Sequence, residues 1–223
     1  MMSAEDEINK ILNTESPKEL MAQAKPFRRL MTQYTCAIME VETKIRVLNE
    51  EFKTDYQRNP IETIKSRIKT PVAIVEKLKR RNQEVSLESI EENLTDVAGV
   101  RVICSFPEDI YKVAELIEGQ DDIRIVLKKD YIQNPKPNGY RSLHLILEVP
   151  VFFAEGKKLM KVEVQFRTIA MDFWASLEHK LAYKHDIKNQ EEISKELRNC
   201  ADITNSVDYR MQEIRNKIDE NQK

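Results

Sequence analysis

Glycine is scarce in this chain. Only four occur in 223 residues, and none falls in a GxxxxGK pattern, which excludes a P-loop. A phosphate site must therefore use charge in place of a glycine cradle. Cysteine is sparse too: Cys36, Cys104 and Cys200 are far apart, odd in number and without CxxC spacing. That argues for a reducing compartment, with the three as small core residues rather than a disulfide framework. No apolar run is long enough to cross a bilayer, and the N-terminal MMSAEDEINK is acidic with no apolar h-region. The expectation is a soluble, cytoplasmic protein with no membrane partner. Charge of one sign is also missing. Charged residues make up 33% of the chain, yet the net charge is -2, so any anion site must be local. Of the three histidines, His179 and His185 lack HExxH spacing and have no cysteine nearby, which argues against zinc. The adjacent His185 and Asp186 are a pairing used by metal-dependent hydrolases, but one pair without other histidines is weak. No Ser-His-Asp or Cys-His order stands out.

What is present is periodic. Leu20, Ala24, Phe27, Met31, Tyr34, Ile38, Val41, Ile45, Leu48 and Phe52 follow a 4-3-4-3 spacing, a heptad seam on one long helix, with Pro26 tolerated only near the first turn. Ile193, Leu197, Cys200, Thr204, Val207, Met211, Ile214 and Ile218 repeat the pattern near the C-terminus. Each seam packs on its own domain or pairs between subunits. Between them, Thr70-Pro71 reads as a helix start, Ser86 as a cap, and Pro107 with Gly119 as the frame of another helix. Strand signals lie at 100–105, 123–132, 142–149 and 161–167, with Gly156 turning between the last two. Strands interleaved with helices without regular βαβ spacing predict an α+β core with a mixed sheet.

Three constellations carry chemistry. In KVEVQFR, Glu163, Gln165 and Arg167 share the face opposite Val162, Val164 and Phe166, and in SLHLILE His144 lies opposite the leucines. That alone describes a solvated sheet face. Asp96 just before an apolar strand, and Arg101 within it, bring an acid and a base to the same core, and carboxylates from two strands commonly hold Mg²⁺ against phosphate oxygens. The second is the basic run IKSRIKTPVAIVEKLKRR, half of which precedes a helix N-terminus. A polyphosphate suits it, as does a plain solvated helix face. The third is NPKPNGYRSLH at 134–144, where an Asn-Gly turn with positive φ angles presents an aromatic ring, a cation and an imidazole together. RNA binding uses the same residue types, so it stays open.

DVAGVRVIC, DYIQNPKPNGYRSLHL and VEVQFRTIAMDFWASLEHK together resemble the synthetase core of the RelA/SpoT superfamily, over about residues 60–185. The short chain is similar to a small alarmone synthetase. The resemblance implies a mixed sheet of the nucleotidyltransferase kind flanked by helices, in a single synthetase domain over 1–223. Its segments are helical at 18–58, catalytic at 60–185 and helical again at 186–223. It implies transfer of the pyrophosphate of ATP to the 3′ hydroxyl of GDP or GTP, giving (p)ppGpp and AMP. Asp96 then matches the Mg²⁺ ligand, and Glu163 matches the acid that activates the 3′ hydroxyl and approaches the metal. Arg67 and Arg101 match the guanidinium pair that sandwiches adenine, a task that needs a planar cation. Lys69 and Lys77 match phosphate contacts. Tyr140 is expected to stack on guanine, with His144, Lys136 and Arg141 meeting its phosphates and Gln165 and Arg167 in support. Asp172 either caps its helix or bonds the guanine edge, while Phe173, Trp174 and Leu177 are expected in the core. A homo-oligomer, tetrameric as in small relatives, is implied as well.

There are departures. Ala73 stands where relatives often place a serine, and YTCAIMEVET is nearly devoid of the cations through which some relatives are activated by product. No room is left for a preceding hydrolase domain, so a synthetase alone is expected. The alternative is an RNA- or nucleotide-binding module that keeps the fold without the chemistry. Asp96 and Glu163 argue against it, since unpaired carboxylates in a basic cleft repel phosphate unless a metal is present.

Overall fold

The computed structural model describes residues 17–55, 59–182 and 190–221. The elements run α1 (Pro17–Asp55), β1 (Ile61–Ile68), α2 (Pro71–Arg80), α3 (Leu87–Asn93), β2 (Ala98–Cys104), α4 (Pro107–Glu118), β3 (Arg124–Asp130), β4 (Leu143–Phe153), β5 (Gly156–Thr168), α5 (Ile169–Ala182) and α6 (Gln190–Glu220). The five strands form one sheet in the order β1-β2-β5-β4-β3. Only β2 and β5 pair in parallel, so the sheet is mixed, as the irregular spacing predicts.

Alternation decides which face is core. Met160, Val162, Val164 and Phe166 of β5 and Leu143, Leu145, Leu147, Val149 and Val151 of β4 are buried, and they join one cluster with Tyr34, Ile38, Val41, Ile45, Leu48 and Phe52 of α1. The first seam therefore packs on its own sheet. Each such side chain contributes about 1.5–3 kcal/mol by leaving water, an upper estimate because the unfolded chain is already partly compact. The opposite face carries most of the polar groups, with Ile103 and Ile146 buried among them. The expected helix starts hold: Thr70 Oγ1 accepts from Ala73 N and Ser86 Oγ from Ser89 N.

Several expectations are corrected. Pro26 lies inside α1, beyond its first turn. The backbone bond it cannot make is a local loss of about 3 kcal/mol, offset by the packing of the helix on the sheet. β1 has no counterpart among the predicted strands. It is an edge strand whose IETIKSRI buries only its first residue, so it shows no alternation. β3 stops short because Asp130 Oδ1 accepts from the backbone N–H of Ile132 and Gln133, both at 2.9 Å, and turns the chain. β4 continues through Pro150 because β3 pairs no further than Glu148, so the missing N–H faces no ladder. Gly156 turns between β4 and β5 at φ 120° as expected. The Asn-Gly reversal differs: Gly139 alone has positive φ, at 89°, and its N–H bonds Lys136 O at 2.8 Å, so Pro137 and Asn138 are the central residues of the turn. Cys104 is buried, but Cys36 is only half-buried and Cys200 is exposed.

The second seam departs most. Val207, Met211, Ile214 and Ile218 of α6 are each more than half exposed, whereas Ala201, Asp208 and Gln212 are buried. The helix docks through a small apolar contact at Leu197 and Ala201 and, further along, by hydrogen bonds. Asp208 accepts from Thr168 Oγ1 at 2.6 Å, and Gln212 bonds Glu108.

Candidate functional site

The polar face of the sheet assembles by register. Lys65 stands beside Arg101, Arg101 beside Gln165, and Gln165 beside His144, across β1, β2, β5 and β4. The neighbouring row holds Arg67, Gly99 and Glu163. A Cβ on Gly99 would touch Arg67 Cγ at 3.6 Å, so the glycine leaves room beside that arginine. Residues far apart in sequence thus meet because the strands carrying them are neighbours.

On the β1 side, Arg67, Arg101 and Gln165 border a cavity of about 140 Å³. The same three, with Tyr140 and Arg167, line a second of about 460 Å³ that reaches His179 and Lys180 of α5. Arg101 donates to Asp172 Oδ1 at 3.1 Å, while its buried Nε has no partner. Burial, with the Arg167 and Arg67 guanidinium groups nearby, holds its pKa below the usual arginine range.

Asp96 sits between α3 and β2. Its Oδ2 receives Lys77 Nζ at 2.5 Å and Lys69 Nζ at 3.0 Å, and its buried Oδ1 has no hydrogen-bond partner. Burial pushes the carboxyl up, but the two ammonium groups outweigh it and hold the pKa below the usual carboxylate value. Glu163 behaves alike. Burial raises it, and the bonds from His144 at 3.2 Å and Gln165 at 2.8 Å bring it below the ordinary range. Both acids are therefore carboxylates at neutral pH.

From Glu163 a chain of polar contacts leads to the loop. His144 Nε2 lies 2.9 Å from Tyr140 Oη, which accepts from Arg167 at 2.8 Å. With that bond made, the phenol donates to Nε2, and Nδ1–H donates to Glu163; the tautomer follows from the network. Lys136 Nζ lies 4.7 Å from the Tyr140 ring centroid and 4.8 Å from that of Tyr131. Tyr131 also meets His144 edge-on at 5.3 Å. Its place was missed by sequence reasoning, though an aromatic residue directly before the 134–144 loop was a visible signal.

Asp96, Glu163, Arg67, Arg101, Lys69, Lys77, Gln165, His144, Tyr140, Lys136 and Asp172 are thus brought to one region of the sheet. Arg141 is not. It donates to Asp202 of α6 at 2.9 Å and to backbone carbonyls, away from the cluster. Asp172 is no cap: Thr168 Oγ1 takes that role, accepting from Met171 N at 3.1 Å, and Asp172 instead joins Arg101 to Arg167. Trp174 is buried as expected, but Phe173 and Leu177 are 61% and 42% exposed, which corrects their assignment to the core. His185 and Asp186 lie outside the described residues.

A divalent cation fits this donor set in a limited way. Among the described residues no group of three or more His, Cys, Asp or Glu is gathered. The orphaned Oδ1 of Asp96 and the ionised Glu163 offer one or two carboxylates, the number Mg²⁺ uses when phosphates complete its shell.

Comparison with known proteins points the same way. A model described as the region found in RelA / SpoT proteins matches residues 66–188. The GTP pyrophosphokinase YwaC of Bacillus subtilis (strain 168) is 42% identical over 201 residues, spanning 90% of this chain and 96% of that protein. Among solved structures, small alarmone synthetase 2 from Bacillus subtilis is 44% identical, with a TM-score of 0.77 over 86% of this chain and 98% of that one. Small alarmone synthetase 1 from the same organism, bound to its product pppGpp, is 34% identical, with a TM-score of 0.79 over 87% of this chain and 98% of that one.

Proposed function

The chain belongs to the RelA/SpoT family, and from that premise we propose how its polar sheet face works. It is an enzyme of the GTP pyrophosphokinase class, making (p)ppGpp. The acceptor's 3′ oxygen attacks the β-phosphorus of ATP, the bond between the α- and β-phosphates breaks, AMP leaves, and the 3′ proton passes to Glu163. The observation that carries this reading is the pair of carboxylates, Asp96 with an orphaned oxygen and Glu163 held ionised, between two cationic halves. Arg67 and Arg101 clasp the adenine of ATP, with Lys69 and Lys77 turning from Asp96 toward its phosphates. Tyr140 stacks on the guanine of GDP or GTP, and Lys136 and His144 serve its phosphates. Gln165, Arg167 and Asp172 hold these groups in place. Arg141 has a different task, taken up below.

Asp96 and Glu163 would hold Mg²⁺, which when bound neutralises phosphate charge and sharpens the electrophile. Lys69 and Lys77 share that neutralisation from the protein side. We read the chain as a single synthetase domain, since α1 shares one hydrophobic cluster with the sheet. A homo-oligomer, a tetramer in its finer form, is supported by the exposed stripes Ile169, Phe173, Leu177, Leu181 on α5 and Ile203, Val207, Met211, Ile214, Ile218 on α6. No described helix is long and apolar enough to cross a membrane, and three cysteines outside any disulfide suit the reducing cytoplasm.

The test is to incubate the protein with γ-labelled ATP, Mg²⁺ and GDP or GTP. Equal amounts of AMP and labelled guanine nucleotide are expected. Label released as free phosphate or pyrophosphate, with none on the guanine nucleotide, would contradict the reading.

A further inference from the structure

The loop carrying Tyr140 is held from outside the sheet. A Cβ on Gly139 would lie 2.5 Å from Ala201 Cβ and 3.2 Å from Arg198 Cδ, so α6 approaches this turn as closely as glycine allows. Arg198 donates to Pro137 O at 2.9 Å. From the loop side, Arg141 donates to Asp202 at 2.9 Å and to Ala201 O at 3.4 Å, while bonding its own Gly139 O at 3.1 Å. Beneath these contacts Trp174 and Ala175 of α5 and Ala201 of α6 form a small hydrophobic cluster, apart from the main core, on which Tyr140 packs. Trp174 Nε1 donates to Leu197 O at 2.9 Å, tying α5 to α6 there.

We propose that α6 is part of the acceptor site: Ala201 and the Arg141–Asp202 pair are positioning residues that fix the turn and set the place of the Tyr140 ring. The proposal rests on Tyr140 being the residue that receives guanine. It gives the C-terminal helix a role in nucleotide affinity besides any role in assembly, and it explains why Arg141 faces α6. The donor groups are carried by other elements, with Arg101 meeting α5 through Asp172. Arg67, Arg101 and Lys77 stand on β1, β2 and α2, whereas α6 packs chiefly on α5 and α4. Loss of the clamp therefore weakens one nucleotide and spares the other, a selectivity that a general loss of stability does not produce.

Ala201→Leu forces α6 away from Gly139. Asp202→Ala removes the partner of Arg141 at a carboxylate whose side chain is 51% exposed, so folding survives even if the first variant fails. Steady-state kinetics and equilibrium binding of GDP and a non-hydrolysable ATP analogue are measured on wild type and both variants. The expected result is a GDP KM raised about tenfold by Ala201→Leu and about threefold by Asp202→Ala. The affinity for the ATP analogue stays within about twofold, and kcat at saturating GDP within about threefold. Unchanged GDP affinity in both folded variants, or equal weakening of the two nucleotides, would overturn the proposal. If wild type itself did not bind GDP, the reading of Tyr140 would fall first and the proposal with it.

Discussion

Arg67 and Arg101 stand on neighbouring strands, placed by the antiparallel ladder of β1 and β2. Tyr140 and Lys136 stand on a loop between β3 and β4, placed by a turn and by α6. The two halves of the site are thus built by different means. Ladder hydrogen bonds between adjacent strands fix the donor side, while the acceptor side depends as well on a helix some sixty residues further along. The division suggests that substitutions far from the chemistry disturb the guanine nucleotide before they disturb ATP.

The largest expected effect falls between the halves. Glu163→Gln keeps a hydrogen-bonding group of the same shape but cannot accept a proton. Turnover should drop by about three to four orders of magnitude, while calorimetric titration shows both nucleotides still binding. Near-normal turnover would remove the base assignment. A smaller effect separates ring from hydroxyl: Tyr140→Phe keeps the stacking surface and loses the bonds to Arg167 and His144. Steady-state kinetics should show the acceptor KM nearly unchanged and kcat lowered about three- to tenfold.

The smallest effect concerns stability. Lys77→Met removes one of the two ammonium groups that depress Asp96. A depressed acid contributes stability above the unfolded carboxylate pKa of about 3.9, and the contribution is lost as pH falls through the folded value. The variant should therefore be less stable than wild type at neutral pH by about 1–3 kcal/mol. Urea unfolding should show the gap shrinking as pH falls below about 4. A gap independent of pH would mean that the Lys77–Asp96 contact does not shape the titration of Asp96.

The face that carries Glu163, Gln165 and His144 was legible because alternation in β4 and β5 names the face of each side chain, and helix caps depend on local chemistry at Thr70 and Ser86. β1 escaped because an exposed edge strand has no buried face to impose a period. The seam of α6 was legible as a pattern but not as an orientation. Its apolar residues point outward because Asp208 and Gln212 find hydrogen-bond partners in Thr168 and Glu108, contacts between distant segments that no periodicity encodes. Arg141 was misplaced for the same reason: its neighbours Tyr140 and His144 point into the site, while its own partner, Asp202, lies on another helix.

Whether one nucleotide binds on each side of the shared pair of carboxylates is decided by a crossed binding measurement. A non-hydrolysable ATP analogue and GDP are titrated separately into wild type, Arg67→Ala and Tyr140→Ala. Arg67→Ala is expected to weaken the ATP analogue by about tenfold or more and to spare GDP, and Tyr140→Ala to do the reverse. Either variant weakening both nucleotides alike, or the opposite one, would contradict this arrangement.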